Sequence, residues 1–356
     1  MGFDAKAVRP TDVFRGAISF EPISRLEAPG ISRRWMWSEL GCELLSRRLD
    51  EKIREAGDHG AFLEVGTLTR IDPALGAHYQ IVDMTIAQAY AAGRFGFDKH
   101  STKDIEIAQN LQAETLRRAK HVFAFSEWAR QSVYQDCGVP LDRISVVYTG
   151  PNFEAKHFAP RPRKAQRVLF MGYDWDRKGG PQLLEAFRIV RKALPQAELY
   201  IVGNGPRTAE PGVTLAGTFD RRTPEGLEQI LSAYSECSCL CLPSRFDPFP
   251  IAIVDAMTFG TPVVAFENGS RKEAVIDGVT GRLAPEGDIE ALAAALVSIL
   301  SDTDLRDAMS AECLKRSKAL FTWKRVVERI GEVVARDSGA VAAHDSAAAG
   351  SVACAR

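Results

Sequence analysis

The chain has 356 residues, with 45 Lys+Arg against 46 Asp+Glu and a formal net charge of -1. That length suits two domains of ordinary size, and an apolar content of 46% excludes a disordered chain. The balanced charge excludes a dedicated nucleic-acid binder, which needs a positive surplus to displace counterions.

Acidic and basic residues (Asp4, Lys6, Arg9, Asp12, Arg15) interrupt residues 1–20, so no secretory signal is expected there. No apolar run reaches the roughly 18–20 residues that span a bilayer. Residues 1–60 hold ten basic and ten acidic side chains. Trp35, Met36, Trp37, Leu40, Leu44, Leu45 and Leu49 recur there at helical spacing. This stripe reads as a core face, because Glu39, Glu43, Asp50 and Glu51 dilute the arginines beside it. A transient membrane-surface contact is the competing reading.

From Ala61 the elements are sharper. Strands are expected at 61–65, 78–82, 121–125 and 144–148. A helix over 104–119 precedes the third, and a helix capped by Ser126 follows it. Residues 156–166 carry Pro160, Pro162, Lys156, Arg161, Arg163 and Lys164 without periodicity and read as a linker. A second alternation follows. Strands are expected at 168–171, 199–202, 213–216, 238–242 and 263–266. Helices are expected at 181–194, 224–234, 251–259, 288–299, 304–320 and from 321 to about 334. Residues 277–281 read as a turn, and the Ala/Ser/Gly tail after 338 as disordered.

The fold class is therefore α/β, with two Rossmann-like αβα domains facing across a cleft. The domains are 1–155 and 167–320, joined by 156–166, with a last helix at 321–338 and a tail at 339–356. Ligands of parallel sheets lie beyond the carboxyl ends of the strands. The seven cysteines are odd in number and form no disulfide framework, so a reducing cytoplasm is expected. Cys237, Cys239 and Cys241 alternate in a strand and read as small buried residues, not metal ligands.

Three strand-end segments carry the chemistry. In the segment from Leu242 to Met257, a rigid loop bears Asp247 and the following helix bears Asp255. Backbone N–H groups near Ile251 to Ile253 are free donors at a helix start, suited to a diphosphate. Asp255 suits a ribose diol and Asp247 the hydroxyls of a sugar, although either aspartate is also a normal cap or solvated charge. In Gly172-Tyr173-Asp174-Trp175-Asp176-Arg177-Lys178-Gly179-Gly180, Lys178 stands where a lysine neutralises phosphate, and Arg177 does the same or pairs with Asp174 or Asp176. The P-loop order is absent, and Gly203-Asn204-Gly205-Pro206 is no dinucleotide fingerprint. In the third segment Gly269 and Ser270 form a turn, and Glu273 contacts the ligand or caps a helix.

At these residues the chain resembles the retaining glycosyltransferases of family 4 (group 1), over about residues 120–335. The family's Glu, seven residues, Glu pattern is matched by Asp247 and Asp255, each one methylene shorter, followed by Ala256-Met257 and Gly260-Thr261-Pro262-Val263-Val264. Lys178-Gly179, Glu273 after Gly269-Ser270, Ser126-Glu127-Trp128 and Phe321-Thr322-Trp323 match further parts.

The resemblance implies the GT-B fold and transfer of a sugar, with retention, from a nucleotide-diphosphate sugar to a carbohydrate or glycolipid hydroxyl. It implies no cofactor and no metal. Lys178 would contact the diphosphate, Asp255 the ribose and Asp247 the donor sugar. Tyr173 stands where the family often has Arg, so Arg177 and Arg245 are expected to supply the second positive charge. Asp83 is expected in the place of a family histidine at a strand end, ahead of His78 and His100. The last helix would cross back to the first domain. Surface-polysaccharide or glycolipid synthesis, a cytoplasmic place peripheral to the inner membrane face, and a monomer or homodimer follow as expectations. An inactive nucleotide-sugar binder and a nucleotide-sugar epimerase are the alternatives.

Overall fold

The computed structural model describes residues 38–56, 61–65, 69–93, 100–153, 157–158 and 163–337. Trp35 to Trp37, linker residues 156 and 159–162, and the tail lie outside the described residues. Two compact units divide between Val146 and Val147. That is earlier than the boundary expected at 155, and contacts made by the next few residues explain it. The Tyr148 ring meets Phe321 edge-on at 5.5 Å and lies 5.9 Å from Phe249, and Asn152 bonds Asp255.

The first unit runs α1 (Glu39–Ala56), β1 (Ala61–Val65), β2 (Ala77–Val82), α2 (Ile86–Ala91), α3 (Thr102–Arg118), β3 (His121–Ala124), α4 (Glu127–Gln135) and β4 (Ile144–Val146). The strands pair in parallel in the order β1-β2-β3-β4. Val82, Leu116, Val122, Ala124, Val133 and Ile144 form one buried cluster beside this sheet. Ser126 caps α4 as expected, its Oγ accepting from Ala129 N at 3.0 Å. The short α2 was not foreseen, since six residues give no readable period.

The stripe on α1 departs from the core reading. Leu40 is 65% and Leu44 51% exposed, while Cys42 and Ser46 are buried. Polar bonds orient the helix. Ser46 Oγ accepts from Arg70 N at 2.7 Å, and the Arg70 guanidinium bridges Glu39 and Glu114.

The second unit runs β5 (Arg167–Gly172), α5 (Gly180–Ala193), β6 (Glu198–Gly203), β7 (Val213–Gly217), α6 (Pro224–Glu236), β8 (Cys239–Cys241), α7 (Ile251–Thr258), β9 (Val263–Phe266), α8 (Arg271–Ala274), β10 (Gly281–Ala284), α9 (Ile289–Ser301), α10 (Thr303–Leu320) and α11 (Trp323–Asp337). Its sheet is parallel, in the order β10-β9-β8-β5-β6-β7. The chain lays β5, β6 and β7 outward, then returns to place β8 on the other side of β5. The order reverses between β5 and β8, and such a reversal opens a crevice beyond the strand ends.

The inner strands read as continuous apolar runs because helices cover both faces of a parallel sheet. Val168, Leu169, Phe170 and Leu240 are fully buried. So are Cys237, Cys239 and Cys241, and burial pushes the Cys237 thiol up to about 12. β10 was missed because it grows directly out of the 277–281 turn, pairing Gly281 with Val263. The linker's described end is pinned: Arg163 donates to Cys237 O, Gly260 O and Thr261 Oγ1.

The described anchors of α11 lie within the second unit. Trp323 Nε1 donates to Pro151 O at 2.8 Å, and its ring lies against Gly150. No helix among the described residues is long and apolar enough to cross a membrane.

Candidate functional site at the reversal of the second sheet

Two loops leave the sheet at its reversal point. The first follows β5 and is tightly wound. Lys178 N donates to Asp174 O at 2.9 Å and Gly180 N to Trp175 O at 2.8 Å, and the Trp175 ring packs edge-on against Phe170 at 4.9 Å. Gly179 holds φ +79°, and a Cβ there would lie 1.9 Å from Pro243 O. Only glycine lets this loop rest against the one that follows β8. The loops also join through Arg245 N to Arg177 O at 3.0 Å and Arg177 Nη1 to Phe246 O at 3.2 Å.

This packing brings Lys178 Nζ onto Asp247 Oδ2. The two side chains are 15% and 9% exposed. One residue after β5 and one after β8 therefore form a mostly buried ion pair spanning the reversal. Charges this far from bulk water interact more strongly than surface pairs.

The other expected residues fall into distinct settings. Gly172 and Gly203 end neighbouring strands. A Cβ on Gly203 would meet Gly172 O at 2.0 Å, and Asn204 Nδ2 donates to Tyr173 O at 2.7 Å. Tyr173 is thus held by its backbone while 66% exposed. Arg177 pairs with Asp174, one of the two options read from sequence. Arg245 is exposed. Gly269 is exposed, and Ser270 is buried with its Oγ on Pro248 O, tying the loop after β9 to the Asp247 loop. Glu273 sits half-buried on α8, and Asp83 lies exposed just beyond β2 in the first unit.

Two expectations are corrected. Ile253 N–H is not a free donor, because α7 begins with a tight turn in which it bonds Pro250 O at 2.9 Å. Asp255 is not presented as an open ribose acceptor. It is 1% exposed, with Oδ1 accepting from Asn152 N at 2.7 Å and Oδ2 from Asn152 Nδ2 at 2.8 Å. A side chain one methylene shorter than glutamate draws back onto Asn152.

Burial pushes the Asp255 carboxyl up from 3.8 to about 6, against the pull of the Asn152 donors and the Arg221 charge. The folded state then holds this proton more tightly than the unfolded chain does. Its contribution to stability is full below about pH 4 and is lost as pH rises through about 6, a fall of about 3 kcal/mol. Urea unfolding from pH 4 to 7 is expected to lose this component in Asp255→Asn, whose amide pairs with Asn152 once the Asn152 amide turns over. An unchanged pH slope would contradict the buried carboxyl.

Sequence reasoning missed four residues here. Asn152 is one. Ser244 Oγ and Asn268 Oδ1 are buried without a hydrogen-bond partner among the described residues. Arg271 is 1% exposed, and burial pulls its guanidinium down to about 10. No local signal separates Arg271 from its exposed neighbour Lys272.

Residues 165–302 match the family model described as glycosyl transferases group 1. A phosphatidyl-myo-inositol mannosyltransferase of Mycolicibacterium smegmatis is 34% identical over 183 residues, covering 50% of this chain and 47% of that protein. A D-inositol 3-phosphate glycosyltransferase of the same organism is 32% identical over 237 residues, covering 62% and 53%.

Residues 165–302 are thus similar to the group 1 glycosyltransferases.

The chain spans about half the length of these curated relatives. Among solved structures, sucrose-phosphate synthase from Thermosynechococcus elongatus superimposes with a TM-score of 0.66 at 20% identity, covering 87% of this chain and 81% of that one. Anabaena HepE in complex with UDP and glucose gives 0.63 at 18% identity, covering 84% and 83%. The fold is GT-B, with its two Rossmann-like units. Every second-unit site residue from Gly172 to Glu273 lies inside the matched residues 165–302, and Asp83 lies outside them.

Proposed function

We propose that this chain is a glycosyltransferase that moves a sugar from a nucleoside-diphosphate sugar to a hydroxyl of a carbohydrate or glycolipid, with retention at the anomeric carbon. The observation that carries the reading is the Lys178–Asp247 pair at the sheet reversal of a group 1 glycosyltransferase segment. A lysine and a carboxylate there match the two ends of a sugar diphosphate. The ammonium meets phosphate oxygens, and the carboxylate accepts from sugar hydroxyls.

In the reaction the bond from the anomeric carbon to the diphosphate breaks and a bond to the acceptor oxygen forms. The acceptor proton passes to a donor phosphate oxygen. Negative charge grows on the leaving diphosphate, so Lys178 helps the transition state more than the ground state. Side chains carry that charge in this reading, without a metal. The names of the two mycobacterial relatives point to an inositol-bearing acceptor, and HepE to a uridine nucleotide donor.

The test is a panel of UDP- and GDP-sugars, with and without inositol and glycolipid acceptors, followed by release of the nucleoside diphosphate. Acceptor-dependent release, unchanged by EDTA, is expected. Asp247, one methylene shorter than the family's glutamate at the donor-sugar position, favours one second reading, a protein that binds nucleotide sugars without turnover. Saturable binding with no release on any acceptor would select it. No binding at all would remove both.

A further inference from the structure

The geometry points to a second ligand site in the first unit, a basic cavity at the amino ends of its strands that takes a small soluble phosphomonoester such as a sugar or polyol phosphate. The site shares no residue with the donor reading above and does not depend on it.

A cavity of about 370 Å³ opens at this end of the sheet. That is within the size range of small-molecule sites. Its wall includes Ala77 at the start of β2, Lys120 just ahead of β3 and Arg143 just ahead of β4. Arg118, the last residue of α3, joins them, with Arg70 and His78. Ligands of a parallel sheet ordinarily sit beyond the carboxyl ends of the strands. Asp83 marks that end of β2, about 20 Å away at roughly 3.3 Å per residue over a six-residue strand. The cavity is therefore no part of the strand-end chemistry already described.

Four cationic side chains line this space, Arg70, Arg118, Lys120 and Arg143, and among the described residues no carboxylate does. The nearby acids are engaged from outside the wall. Glu114 accepts from Arg70 Nε at 2.9 Å and Arg118 Nη2 at 2.8 Å, and Glu39 accepts from Arg70 Nη1 at 2.9 Å. Asp72 is drawn to Arg54 and to Ala74 N–H, and Glu64 to His78 Nε2 at 3.0 Å. Arg143 makes no ion pair among the described residues. Its guanidinium donates over long bonds to Ala119 O at 3.4 Å and Arg117 O at 3.3 Å.

A cation at the end of a helix also serves as a cap, and Arg143 does so for α3. Capping does not account for three further cations around the same space, whose mutual repulsion an anion relieves. A guanidinium has five N–H donors, so Arg143 keeps donors for phosphate oxygens, which suit its planar fork. Thr115 Oγ1 spends its proton on Thr69 O at 3.0 Å, and its oxygen can accept from a ligand hydroxyl. A phosphate beside hydroxyls on one small body fits both features.

Calorimetric titration with inorganic phosphate, a hexose phosphate and the free hexose, each alone and in the presence of UDP or GDP, tests the site. The hexose phosphate is expected to bind with either nucleotide present, and the free hexose not to bind. In Arg143→Gln/Lys120→Gln its affinity falls about tenfold or more, with nucleotide affinity within about twofold. Arg143→Lys keeps most of the affinity. Thermal unfolding is recorded throughout, and Lys120→Gln alone, at an exposed position, stands in if the double variant does not fold. No binding of either phosphate would overturn the proposal. So would binding fully displaced by a nucleotide, or binding unchanged in the variants. Binding only to phosphatidylcholine vesicles that contain a phosphatidylinositol phosphate would also overturn it, leaving a membrane-facing surface. A chain that binds the hexose phosphate but neither nucleotide would keep this site and remove the donor reading.

Discussion

Asp247→Asn is expected to cut transfer about 100- to 1,000-fold while tightening binding of the nucleoside diphosphate that lacks a sugar. The two effects have opposite signs for one reason. With no ligand, Lys178 is neutralised by Asp247. A diphosphate must draw the ammonium away and leave a carboxylate that is 9% exposed without its counter-charge. Sugar hydroxyls satisfy that carboxylate and a bare diphosphate does not. The donor is therefore favoured over the product, which helps the product leave. An amide removes the competition for Lys178, so the diphosphate gains, by about fivefold for a partly buried pair. It also removes a charged acceptor from the sugar, which is the larger loss. Calorimetric titration with diphosphate and with its sugar ester, beside turnover, reads all three quantities. Weaker diphosphate binding in Asp247→Asn would contradict the competition.

Lys178→Met carries the second large effect, and it falls on stability as well as activity. Removing one partner of a buried pair costs about 3–5 kcal/mol, because the other charge stays behind without compensation. For a unit of this size that lowers the melting temperature by roughly 2–4 °C per kcal/mol. Transfer is expected to fall about 1,000-fold through loss of leaving-group stabilisation. The double variant Lys178→Met/Asp247→Asn separates the two consequences. It removes both charges of the pair, so most of the stability returns while transfer stays low. A double variant no more stable than Lys178→Met would show that the pair is not coupled in the folded protein.

Much of this arrangement was legible in the residues. Alternating apolar strands and capped helices marked two parallel sheets, and Ser126 and Pro181 marked helix starts at or within a residue of where they occur. Lys178 and Asp247 were legible as strand-end residues of the right chemistry. Their direct contact was not, because it depends on β8 returning to the far side of β5, a matter of strand order. Burial was the least readable property. Asp255 was read as reaching outward, but a short side chain beside Asn152 turns inward. Leu40 and Leu44 were read as core, but the bonds of Ser46 and Arg70 turn the other face of α1 inward. Arg271 gave no signal, since an arginine beside a lysine reads as solvated until the loops around it are placed.

A crystal structure of the chain with a bound nucleoside diphosphate tests the central claim most directly. Lys178 Nζ should lie within hydrogen-bonding distance of a phosphate oxygen and be withdrawn from Asp247, with the diphosphate beyond the carboxyl ends of β5 and β8. A diphosphate seated elsewhere, or seated there with Lys178 still on Asp247, would contradict the account.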